Sequence, residues 1–105
     1  MLLSSSNSPQ VNREYIFGDL IYVVHVETTN VVRDMRENIK NLTGGRLTHY
    51  EALIDKTVER AFDKIRVKIE NLGYSGACSV RICNPSVVDG GCEVVIYATP
   101  YKFLE

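Results

Sequence analysis

Arg46, His49, Tyr50 and Glu51 follow directly on Gly44-Gly45. Two glycines in a row leave backbone amides open to a ligand. A helix starting just after them would add its positively polarised end, and Arg46 adds a full charge. That combination would seat a small anion. The simpler alternative is a tight joint between two helices. Arg46 would then neutralise carbonyls at the end of the first, and Glu51 would complete the cap of the second. The spacing fits neither a Walker loop nor a dinucleotide fingerprint. The start of a helix favours neutral imidazole at His49. Even so, no serine or cysteine is spaced to act with it as a nucleophile, and no catalytic motif is present.

The second set of reactive side chains is Cys78, Cys83 and Cys92. Thiolates suit a soft divalent metal, but intervals of four and eight residues match no common zinc pattern. In one regular strand Cys78 and Cys83 point to opposite faces, so they share an ion only if a bulge intervenes. Cys78 has the parity of Val80 and Ile82 and reads as core. Cys83 has that of Arg81 and reads as exposed, and Cys92 reads as a loop-edge thiol. An odd cysteine count argues against a secreted disulfide framework and for a reducing cytoplasm. His25, alone in a strand, reads as a satisfied neighbour.

The elements that must hold these groups are legible in the pattern. Residues 15–27 are rich in Val, Ile, Tyr and Phe and read as strand, split at Gly18-Asp19. Asn30 suits a helix N-cap, and Val31, Met35, Ile39 and Leu42 predict a helix over 31–42, ended at Gly44. Thr48 and Glu51 fit a capping box. Ile54, Val58, Ala61, Phe62, Ile65, Ile69 and Leu72 predict a helix over 49–72, ended by Gly73. An alternating strand over 77–83, a turn at Asp89-Gly90-Gly91 and a strand over 93–99 predict a hairpin. The expectation is an α+β fold in β-α-α-β-β order, with two helices on one face of a small antiparallel sheet. Residues 13–103 form a single domain, preceded by a disordered leader over 1–12.

At 105 residues and 45% hydrophobic content the chain is one domain with a modest core. A net charge of -1 offers no field for nucleic acid or anionic lipid. No apolar run approaches the roughly 18 residues of a membrane span. Glu51, Asp55, Glu59 and Asp63 repeat every four residues, as do Lys56, Arg60, Lys64 and Lys68. Like charges at that spacing repel within one helix. The pattern suggests an acidic stripe of one copy meeting the basic stripe of another, a heterologous contact that can close a ring.

Asn30-Val31-Val32-Arg33-Asp34, Ile39 to Arg46, Tyr50-Glu51 and Leu72-Gly73 together resemble the YbjQ-like family. Its members read N-x-F-R-D, then I-R-D-I-V-G-G-R-S-x-x-Y-E, then a long helix ending in L-G. The resemblance covers about residues 16–100 and implies a dodecin-like α+β subunit, a homopentameric ring and a heavy-metal-binding label without an assigned reaction. It marks Arg33, Asp34, Gly44, Gly45, Arg46, Tyr50 and Glu51 as a pocket or subunit junction. Family aspartates after the long helix are replaced by Arg81 and Cys83, which removes an oxygen-rich cation site there. The reading is a cytoplasmic, ring-forming, non-enzymatic protein. One alternative is soft-metal binding by Cys83 with Cys78 or Cys92. Another is an enzyme on small anionic substrates with His49 as acid and base.

Overall fold

The computed structural model describes residues 2–27, 47–85 and 92–104, with side chains of residues 47–50 outside the description. Its centre is the strand Cys92–Phe103 (β5). Gly76–Cys83 (β4) pairs antiparallel along one edge of it. Along the other edge Tyr15–Phe17 (β2) and Ile21–Glu27 (β3) lie end to end. Leu2–Leu3 (β1) adds a parallel pair outside β4. The five-stranded sheet is therefore mixed, where a purely antiparallel one was expected.

β5 runs four residues past the expected end, through Pro100. A proline in a central strand normally leaves a gap in the ladder. Here the Pro100 carbonyl accepts a bond from the amide of Gly18 at 2.8 Å. A strand residue's amide and carbonyl point to the same side. The missing N–H of Pro100 thus faces the break between β2 and β3, where no ladder partner is lost. The break read at Gly18-Asp19 and the tolerance for Pro100 are one feature.

One helix stands among the described residues, Leu47–Asn71 (α1). The expected helix over 31–42 and the turn at residues 89–91 lie outside them. Leu47 is already helical, so Thr48 stands inside the helix rather than at its cap. The buried stripe is Leu53, Thr57, Ala61, Ile65 and Ile69. It is rotated from the expected one: Ile54 and Leu72 are exposed. Thr57 is tolerated in that stripe because its hydroxyl donates to the Leu53 carbonyl at 2.8 Å. The stripe packs on Ile21, Ala77, Val94, Ile96 and Ala98. At the far end the Tyr74 amide reaches the Ile69 carbonyl and the Gly73 amide that of Glu70, with Gly73 at φ 81°. That is a Schellman ending, for which glycine is suited.

The leader expected to be disordered is docked. Beyond the β1 pairing, Ser4 donates to Ala77, while Ser79 and Val80 donate to Ser6 and Ser4, all at 2.8–3.0 Å. A polar, serine-rich segment carries no apolar periodicity, so its order depends on the unpaired edge of β4. Among the described residues no helix is long and apolar enough to cross a membrane.

Candidate functional site

Of the joint residues, Arg33, Asp34, Gly44, Gly45 and Arg46 lie outside the described residues, as do the side chains of His49 and Tyr50. Glu51 is exposed on α1. The rest of the chemistry is arranged around the sheet, whose two faces follow from the register.

On the face toward α1 stand Ile21, Val23, His25 and Glu27 of β3. The strand thus begins apolar and ends polar on its buried side. Glu27 is 10% exposed and accepts from His25 Nε2 at 2.9 Å and Arg60 Nη1 at 2.7 Å. His25 Nδ1 is buried and has no hydrogen-bond partner among the described residues. Farther along α1, Lys64 and Lys68 donate to the carbonyls of Val24 and Tyr22 at 3.0 and 2.9 Å. Arg60, Lys64 and Lys68 therefore line the outer edge of β3 and satisfy its free acceptors. This is how an exposed sheet edge is blunted within one chain. Three of the four basic residues of the stripe, Arg60, Lys64 and Lys68, thus find partners on β3 of the same chain.

The hydrogen bond from His25, with help from Arg60, holds the Glu27 carboxyl below its usual range against the opposing effect of burial. A lowered folded-state pKa gives stability that is present above the unfolded value and lost as pH falls through the folded one. Glu27→Gln should therefore cost about 1–3 kcal/mol at pH 7. The low end applies because Arg60, 46% exposed, can be rehydrated. The deficit should shrink below about pH 4, which urea denaturation of both proteins across pH 3–7 would check. Equal deficits at all pH values would refute the assignment. In the sequence His25 reads as a satisfied neighbour, and Glu27 does not stand out. The available signal was two polar residues at i, i+2 on a strand otherwise made of Ile, Tyr and Val.

The cysteines are set apart by the register. β4 is bulged between Cys78 and Arg81, with Ser79 at φ 53°. The extra residue reverses the parity after it: Cys78 pairs with Thr99, Arg81 with Tyr97 and Cys83 with Val95. Cys78, Arg81 and Cys83 share the face turned away from α1. Ile82, read as core, is 44% exposed at the sheet's end. Sharing a face does not bring the two thiols together. Thr99 and Val95 are four residues apart, which at about 3.3 Å per residue separates their partners by roughly 13 Å. Cys92 pairs with Glu27 and faces the opposite side. Among the described residues no three metal-capable side chains gather. Cys78 is buried as expected, and burial raises its thiol pKa. Cys83 is exposed as expected.

The face turned away from α1 has two zones. At the β2 end, Tyr15, Phe17, Tyr101 and Phe103 pack edge to face at 5.3–5.9 Å between centroids. At the β3 end, Tyr22, Val24 and Val26 alternate outward beside Tyr97, all exposed. An antiparallel strand with one wet face usually shows polar residues there. β3 inverts the rule, with its polar residues inward and its valines outward.

The class these features define is a small α+β domain: a mixed sheet with, among the described residues, one long helix across one face. The same fold is found in a crystal structure of a protein of unknown function of the DUF74 family from Pediococcus pentosaceus. The TM-score is 0.65 over 98% of this chain and 97% of that one, at 15% identity. Residues 1–103 match the YbjQ family model described as "Putative heavy-metal-binding", and the chain belongs to that family. A UPF0145 protein of Halorubrum lacusprofundi is 35% identical over 73% of this chain and 74% of its own length. One of Psychrobacter arcticus is 32% identical over 80% of this chain, which spans only 53% of that relative. One of Clostridium novyi is 26% identical over 90% of this chain and 97% of its own.

Proposed function

We propose that the chain is a self-associating, non-enzymatic subunit whose ring is closed through the outward face of β3 and β5. The observation that carries this is the exposed row Tyr22, Val24 and Val26 beside Tyr97. A strand that keeps His25 and Glu27 inside and valines outside makes sense when the outside is also covered. Contiguous apolar surface of this kind marks an interaction site. Five copies is the number implied by the family resemblance. Charge stripes no longer support the ring, since the basic one is occupied along β3, so apolar burial takes their place. A cytoplasmic home remains the reading of the odd cysteine count. Native mass spectrometry at micromolar concentration tests the assembly: a closed oligomer is expected, and monomer alone would end this reading.

Soft-metal binding is the second reading, supported by the family description and by where Cys83 stands. One chain does not chelate through Cys78 and Cys83, for the reason of distance given above. Cys83, however, is exposed on the very face assigned to self-association. Copies meeting there can each supply one thiolate to a shared ion. Copper(I) or zinc titration should then show saturable binding lost in Cys83→Ser and unaffected in Cys92→Ser. Identical isotherms for wild type and Cys83→Ser would remove the metal.

A further inference from the structure

Cys78 is 1% exposed although it lies on the face away from α1. Among the described elements, what crosses it is the N-terminal segment. Its Sγ sits 3.7 Å from the Asn7 carbonyl. Tyr101, itself 1% exposed, flanks it from β5. Burial raises the pKa of both groups, and for Tyr101 the neighbouring Cys78 raises it further. The cover thus keeps the thiol out of solvent and disfavours its thiolate.

That cover is held lightly and at one place. β1 contributes a two-residue parallel pairing, a weaker arrangement per residue than an antiparallel ladder. The remaining ties converge on the β4 bulge: Ser4 to Ala77, Ser79 to Ser6, Val80 to Ser4, and Arg81 Nη1 to the Ser5 carbonyl at 3.0 Å. Ser6 also leans on Ser4, its amide donating to the Ser4 hydroxyl at 3.0 Å. Serines supply little apolar burial, so the apolar anchor of the segment is Leu3, which packs at the margin of the core. Between this segment and α1 an apolar groove of about 250 Å³, lined by Leu3, Phe62, Val80 and Ile82, remains unfilled. A segment tied by a few backbone bonds over an under-packed groove opens locally long before the domain unfolds. By contrast, β4 and β5 beneath it carry the core residues Ala77, Ile96 and Ala98.

We propose that residues 2–7 are a strap that gates Cys78: closed, it withholds the thiol from soft electrophiles and metals, and lifted, it exposes the thiol while the sheet and helix stay folded. The bulge is what makes the gate possible. By placing Ser79 in a left-handed conformation it turns the Ser79 and Val80 amides, which β5 does not use, toward the strap. The proposal does not rest on either reading above, although Cys78 shares its face of the sheet with Cys83.

Alkylation by N-ethylmaleimide, in which the sulfur adds across the maleimide double bond, reads the gate directly. Trypsin separates residues 69–81, carrying Cys78, from residues 82–102, carrying Cys83 and Cys92, so peptide masses report each rate. In wild type the first peptide should label at least ~10-fold more slowly than the second. Ser4→Pro removes the Ser4 amide and hydroxyl together while leaving the core untouched, and should speed labelling of Cys78 by about ten-fold. Helical circular dichroism should not change. The idea is overturned if Ser4→Pro leaves the Cys78 rate unchanged. It is equally overturned if the rate rises only at urea concentrations that also abolish the helical signal. Hydrogen exchange on the wild type gives a check without mutation. The Ser79 and Val80 amides should exchange faster than that of Ile96, and equal rates would mean that no separate strap opens.

Discussion

Ile65→Ala is expected to lower stability by about 2–5 kcal/mol. Ile65 is fully buried in the C-terminal half of α1, within the cluster that includes Ile21, Val94, Ile96 and Ala98. Its neighbours belong to three different strands and to a regular helix, so none can collapse into the space left by the deleted atoms. For a domain of this size each kcal/mol shifts the midpoint by about 4–8 °C, which predicts a loss of roughly 8–40 °C. If copies associate, the midpoint also depends on protein concentration. The measurement therefore needs wild type and variant at two matched concentrations. A shift below about 5 °C at both would mean that α1 is not anchored through this stripe.

The outline of the described fold was legible because it rests on local periodicity. The valines and tyrosines of β3, the break at Gly18-Asp19, the helical spacing through Ile65 and Ile69, and the Gly73 ending are each encoded within a few residues. What stayed illegible depends on distant partners. The strap has no pattern of its own and takes its order from a β4 edge some seventy residues away. The bulge at Ser79 has no glycine to announce it, yet it decides which face Arg81 and Cys83 occupy. The intrachain role of the basic stripe is hidden for the same reason. Spacing along a helix shows that Arg60, Lys64 and Lys68 share a side, but not that β3 presents carbonyls and Glu27 there. The strand expected over 93–99 continues through Pro100 because the gap that accommodates it lies in another strand. Of the candidate site, the cysteines' exposure was readable from parity up to the bulge. The joint around Gly44-Gly45 lies outside the described residues.

Val24→Lys combined with Val26→Lys is expected to convert the proposed assembly to monomer. In the single chain both side chains are 45% exposed. Lysine there meets water, and the subunit's own stability should change by no more than about 0.5 kcal/mol per site. In a covered face each ammonium would lose its hydration without a carboxylate waiting for it. Charge stranded in an interface costs several kcal/mol, on the order of 2–5 per site. With every 1.4 kcal/mol worth about ten-fold in affinity, two such sites weaken association by at least several hundred-fold. Light scattering coupled to size exclusion at ~10 µM would show the oligomer in wild type and the monomer in the variant. Circular dichroism should report the same helix content in both. Two failures can be told apart. A monomeric wild type defeats self-association itself. An oligomeric wild type with an equally oligomeric variant keeps the assembly but moves its contact off β3. The inverted polarity of the strand would then need another explanation. The candidate is the one already visible on its inner side, where Glu27 draws His25 and Arg60 into the space that a valine would otherwise fill.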